Sequence, residues 1–267
     1  MRRHIALLVS FAIGGVAVLL PQQAAAIEAY PGCSAVTLYA HRGDQTGGNT
    51  ENSIGSLDLA ASHGFSFETD LRTTNNGKII LMHDTTLGRT TTGTGYVSRM
   101  TRRKIQSYRL DDGSIIPRVD DALAVLTNNP NATAMLELKP GAMPPSSLLA
   151  LRDKVNALDL RSRVTVFSFG RTEVLNFRSI APSFSTTLIS TPAEADWTPD
   201  RFIRFGGANI RPEDRTTDWI QRAHDIGLLL NGRDAEDVQA WQAGADAKVR
   251  GQVLDHAAEY QTWCGVQ

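Results

Sequence analysis

The sequence predicts a single α/β domain built on a parallel sheet. An eight-stranded (β/α) barrel and a doubly wound sheet are the two architectures to separate. Three observations lead there. Short apolar runs rich in β-branched residues alternate with amphipathic helical stretches over about 240 residues. Several runs are apolar on both faces, as strands covered by helices on both sides must be. Reactive side chains gather at the C-terminal ends of successive strand candidates, which in a barrel is the face that carries active sites.

The chain has 267 residues and a formal net charge of −1, with ordinary apolar content. A full core can be buried, and nothing in the charge balance argues for nucleic acid or an acidic membrane surface as a partner. The chain opens with basic "MRRH", apolar "IALLVSFAIGGVAVLL" and then "PQQAAA". That is the layout of a secretory signal peptide cleaved after Ala26. An uncleaved anchor is the alternative, although the apolar run is short of the about 20 residues of a comfortable span. The expected organisation is a leader over 1–26 and one domain over 27–267. The expected destination is secreted or extracytoplasmic, without stable membrane insertion once the leader is gone. Cys33 and Cys264 are the only cysteines, one near each end of the mature chain. In an exported protein they invite a disulfide, with two free thiols as the alternative.

In chain order the strand candidates are "AVTLYA", "FSFETD", "KIILMHD", "TAMLELK", "RVTVFSF", "SFSTTLIS", "GANI", "GLLLN" and "DAKVRG". A barrel has eight places for these nine runs, so one is misassigned or stands outside. Four helices are well marked. "SIGSLDLAASHG" ends at Gly64, a natural left-handed cap. "PRVDDALAVLTNNP" sets Pro117 in the first turn and Val119, Ala122, Leu123 and Leu126 on one face. "SLLALRDKVNAL" aligns Leu148, Leu151, Val155 and Leu158, and "DAEDVQAWQAGA" starts at an N-cap candidate, Asp234, and buries Val238 and Trp241.

His41 and Arg42 follow the first strand candidate, and Glu68 and Asp70 end the second. His83 and Asp84 end the third, and Glu137 and Lys139 the fourth. No helix fits between Asp70 and His83. An extended hairpin solves this: six residues descend from Asp70 over roughly 20 Å, Asn75-Asn76-Gly77 reverses the chain, and "KIILMH" climbs back to the rim. Glu68 and Asp70 are two apart on one strand, so both point to one face, where Glu137 makes a third carboxylate. Inward-facing acids repel unless a cation joins them, and an all-oxygen set favours a hard cation, calcium or magnesium. Export favours calcium. The alternative is that Arg42 or Lys139 pairs with one acid and no metal binds.

Three carboxylates and a divalent cation leave one negative charge. Arg42 and Lys139 reverse it to one positive, which suits a phosphodiester, with Arg as a fork and Lys as a point charge. His41 and His83, with reference pKa values of about 6.5, suit the base and the acid of an in-line displacement at phosphorus. His63, His224 and His256 lie in helical stretches and read as packing or surface residues. "HDTTLGRTTTGTG" reads on composition as a plain loop.

"HRG…ENS", "FETDLRTTNNGKIILMHDTTLGRTTTGTGYVS", "IPRVDDAL" and "LELK" together resemble the glycerophosphodiester phosphodiesterases. Less sharply, "VTVFSF" and "LLLN" extend the resemblance over residues 36 to 231. The resemblance implies a TIM-type (β/α)8 barrel and metal-dependent cleavage of a small glycerophosphodiester to glycerol 3-phosphate and an alcohol. It implies His41 and His83 as the acid/base pair, Glu68, Asp70 and Glu137 as metal ligands, and Arg42 and Lys139 as phosphate contacts. A neighbouring glycerol hydroxyl would attack first, giving a cyclic phosphate that water opens. His83 is assigned as base and His41 as acid, an order the residues do not dictate. The chain departs from the family at Thr50, where Pro is usual, at the longer "DQTGGNT" loop, and at "KVRGQV" in place of a terminal Thr-Asp-x-Pro pattern. Two other readings stay open: a phospholipase D-like or teichoic-acid-type diesterase, for which "ADWTPDRFIRF" is the candidate aromatic loop, and a non-catalytic barrel that binds metal or phosphate.

Overall fold

The structure, a computed structural model, describes residues 30–141 and 143–265; the expected leader lies outside them. Nine strands form: β1 (Thr37–Ala40), β2 (Ser66–Thr73), β3 (Ile79–Leu81), β4 (Ala134–Leu138), β5 (Val164–Ser168), β6 (Ser185–Ile189), β7 (Gly207–Ile210), β8 (Leu229–Gly232) and β9 (Gly251–Leu254). All but β3 run parallel in the ring order β1-β2-β4-β5-β6-β7-β8-β9, and β1 pairs with both β2 and β9, so the sheet closes. This is the eight-stranded (β/α) barrel, and the extra run is β3, an antiparallel partner of β2 outside the ring. Closure removes the free edges of the eight-stranded ring, which a doubly wound sheet would have kept.

Helices cover the ring: α1 (Ile54–Ser62), α2 (Arg102–Ile105), α3 (Val119–Asn128), α4 (Pro145–Ala157), α5 (Arg171–Ile180), α6 (Thr217–Asp225), α7 (Val238–Asp246) and α8 (Ala257–Cys264). Between β6 and β7 a 3-10 helix, Pro199–Phe205, takes the place of an α-helix, and α2 belongs to the long segment between β3 and α3. The core has two layers. Tyr39, Met135, Phe167, Ile189 and Val253 fill the barrel. Outward residues such as Phe67, Leu136, Val166 and Leu188 pack against Leu57, Leu123, Leu151 and Phe177 of the helices. Cys33 and Cys264 are bonded, with Cα atoms 5.7 Å apart, tying the approach to β1 to the end of α8. Restricting so long a loop in the unfolded chain contributes up to about 5 kcal/mol. Among the described residues, no helix is long and apolar enough to cross a membrane.

Several local expectations are corrected. The last strand begins where "DAKVRG" ends, because Lys248 takes a left-handed φ of 47° and turns the chain before Gly251. The N-cap of α7 is Asp237, which accepts from the Ala240 amide at 2.9 Å, and Val238 is exposed. Asp234 instead has φ 52°, outside the extended conformation of an N-cap. Pro117 precedes Arg118, the N-cap of α3, whose amide donates to Asp121 Oδ2 at 2.9 Å. Leu158 lies past the end of α4 and is exposed. The β2–β3 hairpin does not descend. As a barrel strand, β2 runs on past Asp70 in its own direction, turns at 74–77, and β3 returns with Leu81 beside Leu71.

Candidate active site

His41 follows β1 at the C-terminal rim, its amide donating to Leu254 O of β9 at 3.1 Å. The chain then bends away through Arg42 (φ 59°) and Gly43 (φ 85°). A Cβ at Gly43 would stand 2.6 Å from the backbone of Ser56, so only glycine allows α1 to close on this turn. The bend turns the Arg42 amide onto Glu68 Oε2 at 3.0 Å.

Glu68 and Asp70 on β2 and Glu137 on β4 all face inward and are buried. The register pairs Asp70 with Glu137, and one oxygen from each acid lies within 4.8 Å of the others. Lys139 Nζ stands 2.7 Å from Asp70 and 2.8 Å from Glu137, and Arg42 Nε is 3.4 Å from Asp70 Oδ2. These two cations do not complete the site. Glu68 Oε1 and Glu137 Oε1 are buried without a hydrogen bond, and Asp70 Oδ1 has only its ion pair with Lys139. Burial and the neighbouring Asp70 charge push Glu68 up to about 8. Burial outweighs Lys139 at Glu137, which rises to about 7. Asp70 is held low against its own burial, chiefly by Lys139. Orphaned, mutually repelling oxygens at one point fit a hard divalent cation.

The histidines flank this cluster. His41 Nδ1 is 2.7 Å from Asp255 Oδ1, and its Nε2 is 3.9 Å from Glu68. Burial works to lower the His41 pKa, but the Asp255 hydrogen bond and the Glu68 charge overcome it and raise it to about 9. His83 Nδ1 is 2.8 Å from Asp84 Oδ1. Burial lowers the His83 pKa despite Asp70 and Asp84. Each ring is thus oriented by a carboxylate on one nitrogen, which leaves the other free for chemistry.

The structure brings all seven sequence-selected residues to one rim and adds others. Arg89 Nε donates to Asp84 Oδ2 at 2.5 Å, and its two terminal nitrogens fork onto Glu51 at 2.8 and 2.6 Å. Glu51 also accepts from Arg42 at 3.0 Å. The loop that reads as plain composition therefore links the His83 and His41 sides of the site. Asn52 (φ 59°) donates to Asp70 Oδ2 at 2.7 Å and accepts from the Asp70 amide at 3.0 Å. Asp255 was missed because the last strand was placed too early; it follows β9 directly, so the terminal acid is present. Phe169 extends the inward-facing positions of β5 and is exposed at the mouth. Of the other histidines, His63 caps α1 and pairs with Asp44 at 2.9 Å. His224 Nε2 is 2.8 Å from Ala247 O, and His256 is the exposed N-cap of α8.

With this geometry in place, comparison with known proteins is decisive. The profile of the glycerophosphoryl diester phosphodiesterase family matches residues 41–255, from the rim histidine of β1 to the acid after β9. The chain belongs to that family of phosphoric diester hydrolases. A Mycobacterium tuberculosis protein named "Probable glycerophosphodiester phosphodiesterase 1" is 32% identical over 174 residues, 56% of this chain and 62% of that protein. The match thus spans less than two thirds of that relative. The crystal structure of glycerophosphodiester phosphodiesterase from Agrobacterium tumefaciens superposes with TM-score 0.72 at 27% identity, over 86% of this chain and 100% of that one. An Oleispira antarctica phosphodiesterase, solved with the product sn-glycerol-3-phosphate, shares the fold at TM-score 0.74 and 18% identity over 85% of this chain and 96% of that one.

Proposed function

We propose that this member of the family hydrolyses small glycerophosphodiesters to glycerol 3-phosphate and an alcohol, with a divalent cation held by Glu68, Asp70 and Glu137. The observation that carries the reading is the convergence of three buried carboxylates, with Glu68 Oε1 and Glu137 Oε1 left without partners, between two oriented histidines. When bound, such a cation draws electron density from the phosphoryl oxygens and offsets charge developing there. Lys139 and Arg42, which lie against the same acids, would be available to face the phosphate once the cation site is filled.

His83, whose pKa burial lowers, is the neutral imidazole and takes the proton of the attacking hydroxyl. His41, held protonated by Asp255 and Glu68, gives its proton to the departing alcohol oxygen. Asp84 and Asp255 keep the two rings in place. We assign calcium rather than magnesium, because weak all-oxygen sites fill readily outside the cell. The Cys33–Cys264 bond supports an exported, oxidising destination. The lipid-directed alternative loses its feature: the aromatics of "ADWTPDRFIRF" face inward, with Phe202 and Phe205 buried and Trp197 packed on both.

Phosphorus NMR of the chain with glycerophosphocholine tests the reading. After chelation, calcium restores glycerol 3-phosphate formation and magnesium restores less. Equal turnover with magnesium overturns the choice of calcium. No product with either ion, in a protein that calorimetry shows to bind the ion, overturns the assigned reaction.

A further inference from the structure

The segment between β3 and α3 carries an excess of positive charge that the reaction does not use. Residues 96–117 hold Arg99, Arg102, Arg103, Lys104 and Arg109 against Asp111 and Asp112, a net +3 in a chain of formal charge −1. Among the described residues, none of these five cations makes an ion pair with a carboxylate. Arg99 lies 4.9 Å over the Tyr96 ring and Lys104 4.8 Å over Tyr108. Arg109 donates to the carbonyls of Gln106 and Tyr108, each at 3.0 Å. Two large side chains with apolar surface stand exposed among them, Tyr96 (49% exposed) and Ile115 (54%), and Arg109 bridges to Ile115.

The segment is anchored at the C-terminal end of the barrel. Thr50 of the mouth loop and Asp112 exchange hydrogen bonds, both 2.9 Å. The tip of the β2–β3 hairpin holds the other side, Asn75 donating to Met100 O at 3.0 Å and Asn76 Oδ1 accepting from the Arg102 amide at 3.2 Å. The cations and the two exposed side chains therefore belong to a fixed surface at the same end as His41 and His83.

We propose that residues 96–117 dock the protein on an anionic phospholipid surface, with the barrel mouth on the membrane-facing end. Unpaired Arg and Lys are drawn to the negative potential of such a surface, and an amphipathic Tyr beside an Ile suits the headgroup level. A soluble polyanion would engage the charges but would leave Tyr96 and Ile115 without a role. Docking places the mouth where removal of both acyl chains from a phospholipid would release a glycerophosphodiester. The docking claim is independent of the catalytic reading.

The test is co-sedimentation of residues 27–267, which contain the closed barrel and its disulfide, with phosphatidylcholine vesicles and with vesicles also containing phosphatidylglycerol. Binding is expected only to the second and is expected to fall as salt rises. Replacing Arg99, Arg103 and Lys104 together by Gln is expected to weaken partitioning by on the order of 100-fold. Tyr96→Ser with Ile115→Ser is expected to weaken it several-fold. Both variants keep the wild-type melting temperature and the wild-type turnover of soluble glycerophosphocholine. Equal binding to both vesicle types, or binding to neither, overturns the proposal. So does equal retention on soluble polyphosphate with no effect of the Tyr96 and Ile115 changes, which would make the segment a general polyanion patch.

Discussion

The two sides of the barrel treat buried polar groups in opposite ways. On β6, β7 and β8 they are uncharged and bond one another: Thr187 Oγ1 donates to Asn209 Oδ1 at 2.6 Å, and Asn231 Nδ2 donates to the same oxygen at 3.2 Å. These groups are neutral and tie neighbouring strands together, although Asn209 Nδ2 is left without a partner. On β2 and β4 the inward polar groups are charged, and two carboxylate oxygens, Glu68 Oε1 and Glu137 Oε1, are left open. Such an arrangement costs stability unless a ligand completes it. One side of the interior serves the fold, and the other holds charge in readiness for a cation and a phosphate.

Glu68→Gln should separate the two sides most sharply. It removes one ligand and one buried charge, so turnover falls by about 100–1,000-fold, a size usual for loss of a major electrostatic contact in the transition state. In metal-free protein the same change should raise stability by about 1–3 kcal/mol, because it relieves desolvation and repulsion. Steady-state rates and urea melts with chelator check both signs. A variant that loses activity and stability together would break the contrast.

Asp255→Asn has the next largest effect, about 10–100-fold on turnover, together with a change in pH response. The folded pKa of His41 is raised to about 9 from an ordinary 6.5. Its stabilisation is therefore fully present below about pH 6.5 and is lost as pH rises through 9. Glu68, raised to about 8, acts in the same direction because its neutral form is favoured by folding. Metal-free wild-type protein should thus lose stability steadily between neutral pH and 9, and Asp255→Asn should flatten the His41 part of that slope. Melting temperatures across this range decide it. An unchanged slope would remove Asp255 from the account of His41.

Asn209→Ala has the smallest functional effect. It deletes the shared acceptor of the β6–β8 network and should cost about 1–2 kcal/mol of stability. The catalytic rate should stay within about threefold of wild type. A large rate loss with normal stability would move Asn209 to the reactive side of the comparison.

How readily each part reads from sequence follows the same division. Glu68, Asp70 and Glu137 stand on strands whose period of two assigns a face without further information, and His41 and His83 sit at strand ends. Arg89, Asp84 and Glu51 form one ion-pair chain from three separate stretches, so their linkage depends on how the loops fold back. Asp255 was hidden because "DAKVRG" has enough β-branched and apolar character to resemble a strand, whereas the left-handed turn at Lys248 delays pairing until Gly251. The misplaced start of α7 is of the same kind, since Asp234 has a left-handed backbone that an N-cap cannot use and the helix starts after Asp237.

By itself the sequence determined the alternation of strands and helices, the inward pair on β2, and the hairpin that returns His83. Each of these depends on short-range periodicity or on local turn chemistry. Only the tertiary structure decided that the ring closes through β1 and β9, that β3 stands outside it, and that Asp255 meets His41 across 214 positions of chain. It also decided that Lys139 and Arg42 compensate the acids without satisfying them. Those outcomes depend on which side chains a closed, dehydrated interior brings within hydrogen-bond reach, and on charges whose energies burial sets.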